Sequence, residues 1–163
     1  MKRILLLVLC FIVIRSTTIG QAPAVPRQPP VRVVTAAQIN GLYRYGRNDF
    51  RILALGRKKL KVQFNGEWMT RGGYPNIGEA IGEADIVGNV ATFIPGDTTK
   101  CKISLTFFTN RMKVTQEGLD AECGFGHNVV ASGTYRRVKS GRPRFIPVLE
   151  QKTSTSLWLL LYC

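Results

Sequence analysis

The heptapeptide Cys101-Lys102-Ile103-Ser104-Leu105-Thr106-Phe107 alternates strictly between apolar and polar side chains. Successive side chains of a strand point to opposite faces, so a period of two predicts a strand burying Cys101, Ile103, Leu105 and Phe107. Around it stand seven further short apolar runs, at residues 42–45, 50–55, 60–64, 80–87, 90–94, 112–116 and 129–138. In the third of these, Leu60, Val62 and Phe64 alternate with Lys61 and Gln63. Eight short strands in about a hundred residues is the spacing of an all-β barrel or sandwich.

The breaks between runs narrow the choice. Gly56-Arg57-Lys58-Lys59, Gly88-Asn89, Pro95-Gly96-Asp97 and Thr109-Asn110 each separate two runs closely enough for a hairpin. Successive hairpins give a meander, and a long meander removes its exposed edges by closing on itself. The expected fold is therefore all-β, a roughly eight-stranded antiparallel up-and-down barrel. Gly41-Leu42-Tyr43-Arg44 and Gly133-Thr134-Tyr135-Arg136 echo one another in the first and last strands. If those strands pair at the closure, the two tyrosines lie near each other. In the strand through residues 79–87, small side chains fall at the inward positions Ala80, Gly82 and Ala84. Close packing predicts that large neighbours such as Trp68 or Phe107 fill the space above them.

Outside the strand-rich stretch the composition changes. Met1-Lys2-Arg3 precedes eleven unbroken apolar residues, Ile4 to Ile14, and a small polar segment ending at Gly20. That layout predicts a secretory signal peptide over 1–20, since eleven residues are too few to span a bilayer. Cys10 would leave with it. Residues 21–38 open with four prolines and no acid over 21–34, which predicts an extended linker, with a short helical turn at 35–38. The barrel domain is expected over 39–139. The tail, 140–163, is basic at Gly141-Arg142-Pro143-Arg144 and ends on the apolar Leu157-Trp158-Leu159-Leu160-Leu161-Tyr162-Cys163. An edge strand, a lipid contact and no role are all open for that end.

Export sets the redox setting, secreted or periplasmic, and there Cys101 and Cys123 are the natural disulfide pair because both lie among strand signals. Cys163 is free, pairs between chains, or has no role. Losing Lys2, Arg3 and Arg15 with the leader leaves 20 basic and 10 acidic residues, a net +10. Such a surplus favours anionic partners: envelope polysaccharide, phospholipid headgroups or nucleic acid, the last disfavoured by export. Two clusters concentrate it, Arg57, Lys58, Lys59 and Lys61 at one hairpin, and Arg136, Arg137, Lys139, Arg142 and Arg144 near the end.

No catalytic constellation accompanies these. His127 follows Cys123 in Cys123-Gly124-Phe125-Gly126-His127-Asn128, but a disulfide sulfur is no thiolate nucleophile. Zinc would need a second histidine or a Cys-x-x-Cys spacing, and calcium a tighter oxygen cluster, so no metal or cofactor is expected. Glu79, Glu83 and Asp85 share a strand face, and Asp120 and Glu122 flank the expected disulfide. Paired acids of this kind are what a glycan hydrolase would need, and a solvated strand face accounts for the first three equally well.

The strand at 101–107, Val114-Thr115-Gln116, the Cys123-Gly124-Phe125-Gly126-His127-Asn128-Val129 turn and Gly133-Thr134-Tyr135 resemble a family of uncharacterised bacterial secreted or periplasmic proteins. The likeness covers residues 40 to 139 and implies a calycin-like small barrel with one disulfide and no established activity. The expected function is an exported, non-catalytic β-barrel that binds anionic envelope material, a membrane surface or a protein through Arg57, Lys58, Lys59, Arg136, Arg137 and Lys139. The alternatives are a lysozyme-inhibitor-like protein, the glycan hydrolase, and a carrier of a small apolar ligand lined by Ala84, Leu105 and Phe107. Against the inhibitor stands its charge, because the common target lysozymes are themselves basic.

Overall fold

The computed structural model describes residues 33–96 and 100–147. The leader at 1–20, most of the proline-rich linker, Asp97 of the third turn, and the tail from 148 to Cys163 lie outside the described residues.

Eight strands run β1 (Gly41–Tyr45), β2 (Asn48–Gly56), β3 (Lys59–Met69), β4 (Pro75–Val87), β5 (Val90–Phe93), β6 (Lys102–Phe108), β7 (Arg111–Glu117) and β8 (Gly133–Ser140). Each pairs antiparallel with the next, and β8 closes on β1, so the chain is an all-β closed barrel. The alternation in the sequence maps onto the wall directly. Cys101, Ile103, Leu105 and Phe107 are all buried, as are Leu60, Val62 and Phe64. Rings pack at the centre, with Phe50 4.9 Å from Phe64 and 5.0 Å from Tyr135. Such aromatic pairs each add about 1 kcal/mol beyond the area they bury.

Both ends of the barrel are covered. At one, Thr35 opens the helical turn α1 (Ala36–Ile39), its amide donating to Gln38 Oε1 at 2.8 Å, and Ile39 is buried. At the other, residues 118–132 fold inward through a 3-10 turn at Ala121–Cys123, burying Phe125, Val129 and Ala131. The Cys101–Cys123 disulfide ties this plug to the strand that follows Cys101. The plug explains why β8 begins at Gly133 rather than at 129. Val129 and Ala131 alternate with polar or exposed neighbours because they seal the barrel end, not because they pair in the sheet.

The small residues of β4 admit that plug and a core ring. A Cβ at Gly78 would meet Val129 at 2.7 Å and Phe125 at 3.0 Å, and one at Gly82 would meet Phe93 at 3.2 Å. Phe93, Phe125 and Val129 thus occupy the space expected for Trp68, which instead stands half exposed beyond the barrel. The closing strands do pair, yet the register sets Tyr43 against Arg137 and brings Tyr45, not Tyr43, to within 5.6 Å of Tyr135. A register shift between Leu42 and Tyr43 accompanies this pairing.

The folded domain extends past both expected boundaries. Before residue 39, Val34 packs against the core beside Ile39. After β8 the chain lies against the outer side of β3. Gln63, a buried polar residue, donates from Nε2 to the Ile146 carbonyl at 2.6 Å and accepts from the Ile146 amide at 2.9 Å. Lys61 sits 4.8 Å from the Phe145 ring centroid. One side-chain amide satisfies both backbone groups of the strap, as a neighbouring strand would.

Candidate basic site on the outer wall

The residues considered for catalysis are dispersed. Cys123 is bonded to Cys101. His127 is exposed, with Nδ1 3.7 Å from Asp120 Oδ2. The Asp120 carboxylate is turned to the backbone, accepting from the amides of Asn128 at 2.7 Å and Ala121 at 2.8 Å. Those bonds hold its pKa below the usual carboxylate range, so it stabilises the plug as an anion. Glu79, Glu83 and Asp85 lie on the outer face of β4, where Asp85 pairs with Lys59 at 2.7 Å. Glu79 and Glu122 both line an open depression of about 700 Å³, but Glu122 Oε2 accepts from the Leu119 amide at 2.8 Å. No group of three or more His, Cys, Asp or Glu side chains suited to a metal occurs among the described residues.

The basic residues divide by what they already do. Arg137 is engaged inside the fold: Nη1 donates to the carbonyls of Ala37 at 3.0 Å and Gln38 at 2.8 Å, and Nη2 to Asn110 Oδ1 at 2.6 Å. It clamps α1 over the barrel end. Lys59 is bound to Asp85, and that hydrogen bond raises its ammonium above the ordinary lysine range. Arg57 and Lys58 are exposed at the β2–β3 turn with φ of 49° and 61°, a left-handed pair at which asparagine and glycine are more usual. Lys139 is exposed near the end of β8. Strand β1 lies between β8 and β2, so the two sequence clusters do not merge into one patch.

A different grouping emerges at the closure. Across β7, β8 and β1 the register places Arg111 opposite Arg136 and Arg136 opposite Arg44. All three are exposed, alternating with the buried Met112, Tyr135 and Tyr43. Adjacent strands lie about 4.8 Å apart, so the row spans about 10 Å of wall. Phe108 prolongs it, opposite Arg111, whose guanidinium carbon lies 5.2 Å from its ring centroid. Lys113 stands two residues further along β7 on the same exposed side.

The acid nearest in register does not neutralise the row. Asp49 lies opposite Arg44, but its carboxylate pairs with Arg51 and accepts from Asn65 at 3.2 Å. Like charges directly opposite across strands repel, so such a row weakens the sheet unless an external anion offsets it. Of the three, only Arg136 belongs to a sequence cluster. Arg44 and Arg111 lie outside both sequence clusters, and only the register groups them with Arg136.

At the α1 end, a groove of about 470 Å³ is lined by Val34, Ile39, Leu60 and Ile86 together with Lys58 and Lys59. Ala84, Leu105 and Phe107, the lining expected for an apolar carrier, are buried in the core and line neither this groove nor the depression beside β4. No protein-family model, no curated protein and no solved structure matches the chain.

Proposed function

We propose that this protein is an exported, non-catalytic β-barrel that binds a linear anionic polymer of the cell envelope on its outer wall. The observation that carries this is the cross-strand row Arg111–Arg136–Arg44, three exposed guanidiniums at strand spacing with no ion pair among the described residues. Guanidiniums offer paired donors to phosphate, sulfate or carboxylate oxygens, and a row at fixed spacing suits a chain carrying repeated charges. Lys113 extends the surface, and Phe108 supports one end of the row. Of the residues expected from sequence, Arg136 is central, and Lys139, Arg57 and Lys58 add long-range attraction. Arg137 instead clamps α1 to the barrel, and Lys59 is occupied by Asp85.

The test is binding to inorganic polyphosphate and to isolated cell-wall sacculi, followed by titration with salt. Binding should weaken steeply as salt rises, because exposed charges are screened over about 10 Å at 0.1 M. Charge reversal of Arg44 and Arg136 together to Glu should abolish it. Retention of full affinity by that variant would sink the proposal.

A further inference from the structure

The β3–β4 hairpin is longer than the barrel requires. Gly66 and Gly78, register partners, mark the level where the plug residue Val129 packs against the hairpin. Beyond them the ladder continues through Glu67 opposite Ile77, Trp68 opposite Asn76 and Met69 opposite Pro75. Trp68 is 50% exposed and Tyr74 78% exposed, and Met69 and Ile77 are exposed as well.

Three features decide what this tip meets. First, its apolar groups lie on both faces of the ribbon, since Trp68 points opposite to Met69 and Ile77. A flat protein surface covers one face of a ribbon, whereas a lipid interface surrounds an inserted tip. Second, residues 68–78 contain no acid and carry Arg71 near the apex. Glu67, at the base, is paired with Arg47 at 3.3 Å. Third, the tip is already ordered. Gly73 N donates to the Thr70 carbonyl at 3.1 Å, and the Thr70 hydroxyl donates to the Tyr74 carbonyl at 2.8 Å while accepting from the Tyr74 amide at 3.2 Å. Little conformational freedom is lost when a preformed tip docks.

We propose that this hairpin tip is a membrane-docking element that enters the interfacial layer of an anionic phospholipid bilayer. Trp68 and Tyr74 act as interfacial anchors, apolar in body and polar at one edge. Met69 and Ile77 add buried apolar area, and Arg71 meets lipid phosphate. The proposal stands on the hairpin alone and does not depend on the arginine row.

The chain holds two tryptophans, Trp68 and Trp158, so a full-length W158F protein reports on Trp68 by fluorescence. It is mixed with vesicles of phosphatidylglycerol and phosphatidylcholine, and emission, quenching by brominated lipid and co-sedimentation are followed. The expected result is a blue shift with quenching, and a partition coefficient lowered roughly tenfold by W68S with Y74S. The R44E/R136E variant should keep the blue shift and the quenching. Three outcomes overturn the proposal. Co-sedimentation without any change in Trp68 emission assigns the contact to another part of the chain. Emission already blue in buffer and red-shifting on dilution assigns the tip to a second copy of the chain. Unaltered partition of W68S/Y74S, its fold verified by circular dichroism, removes the anchors from the contact.

Discussion

Tyr43 and Tyr135 make the same hydrogen bond at opposite ends of the barrel. Each phenol donates to the carbonyl four residues earlier, Ile39 at 2.9 Å and Ala131 at 2.8 Å. Each follows a glycine two residues before it and precedes an arginine, so the echo between Gly41-Leu42-Tyr43-Arg44 and Gly133-Thr134-Tyr135-Arg136 is structural. One tyrosine fastens α1 to its strand, the other the plug. Both rings are fully buried, and both hydroxyls reach backbone that no strand partner satisfies.

Tyr43→Phe and Tyr135→Phe should therefore each destabilise the protein by about 1–2 kcal/mol, the usual loss when a buried carbonyl is left without its donor. For a domain of this size, each kcal/mol lowers Tm by about 4 °C. Urea denaturation of the two single variants checks this, and comparable losses are expected because the bonds are equivalent.

The same burial sets a stability limit in alkali. Burial pushes the Tyr43 phenol up to about 12, with the nearby Arg137 charge pulling the other way, and it raises Tyr135 further. An unfolded tyrosine ionises near 10, so above that pH the unfolded chain releases protons that the folded chain retains. The stabilisation is complete below pH 10 and is lost as pH rises toward 12. Unfolding midpoints measured from pH 8 to 12 should fall in the upper half of that range. The double Phe variant should show a flatter decline.

Removing the disulfide should act on the plug. A Cys101→Ser, Cys123→Ser variant loses the constraint on a loop of 22-residue separation, about 3 kcal/mol by chain entropy. Hydrogen exchange should then rise first at residues 118–132, with the β2–β3 wall still protected. Equal acceleration everywhere would show that plug and barrel unfold as one unit.

The arginine row predicts a trade between stability and binding. Arg136→Thr removes the central charge from between Arg111 and Arg44 and places a β-branched residue in a strand. Stability should rise by about 0.5 kcal/mol, read from the shift in the urea midpoint. Polyphosphate affinity should fall in the same protein. A variant that loses stability instead would show that the row is neutralised within the fold.

Gln63→Leu tests the strap. It removes a donor and an acceptor that pair with Ile146, leaving that backbone amide and carbonyl without partners on the outer wall. Limited proteolysis should then cut near residues 144–147 at lower protease concentration, while the barrel midpoint moves by about 1 kcal/mol or less.

Much of this architecture follows from local rules legible in the chain. Alternation of apolar residues sets which side chains face inward, as at Ile103, Leu105 and Phe107, because a strand has no other way to sort them. Glycine and asparagine at Gly88-Asn89 and Thr109-Asn110 place hairpins because few other residues enter the left-handed region cheaply, and Asn110 does so with φ of 58°. The strand signals around Cys101 and Cys123 were enough to pair them, and the two are bonded. Register is another matter. Arg44, Arg111 and Arg136 are distant in sequence and become neighbours only when β8 closes on β1, since barrel closure fixes which residues of non-adjacent segments stand opposite. The plug at Val129 and Ala131 imitates a strand locally, and only the space left by Gly66 and Gly78 shows that it seals an end. Gln63 reads as a solvent-facing position until the chain beyond β8 returns to cover it. Side-chain periodicity is a property of neighbouring residues and can be read from the text; charge rows, plugs and straps depend on long-range packing, and only the tertiary structure decides them.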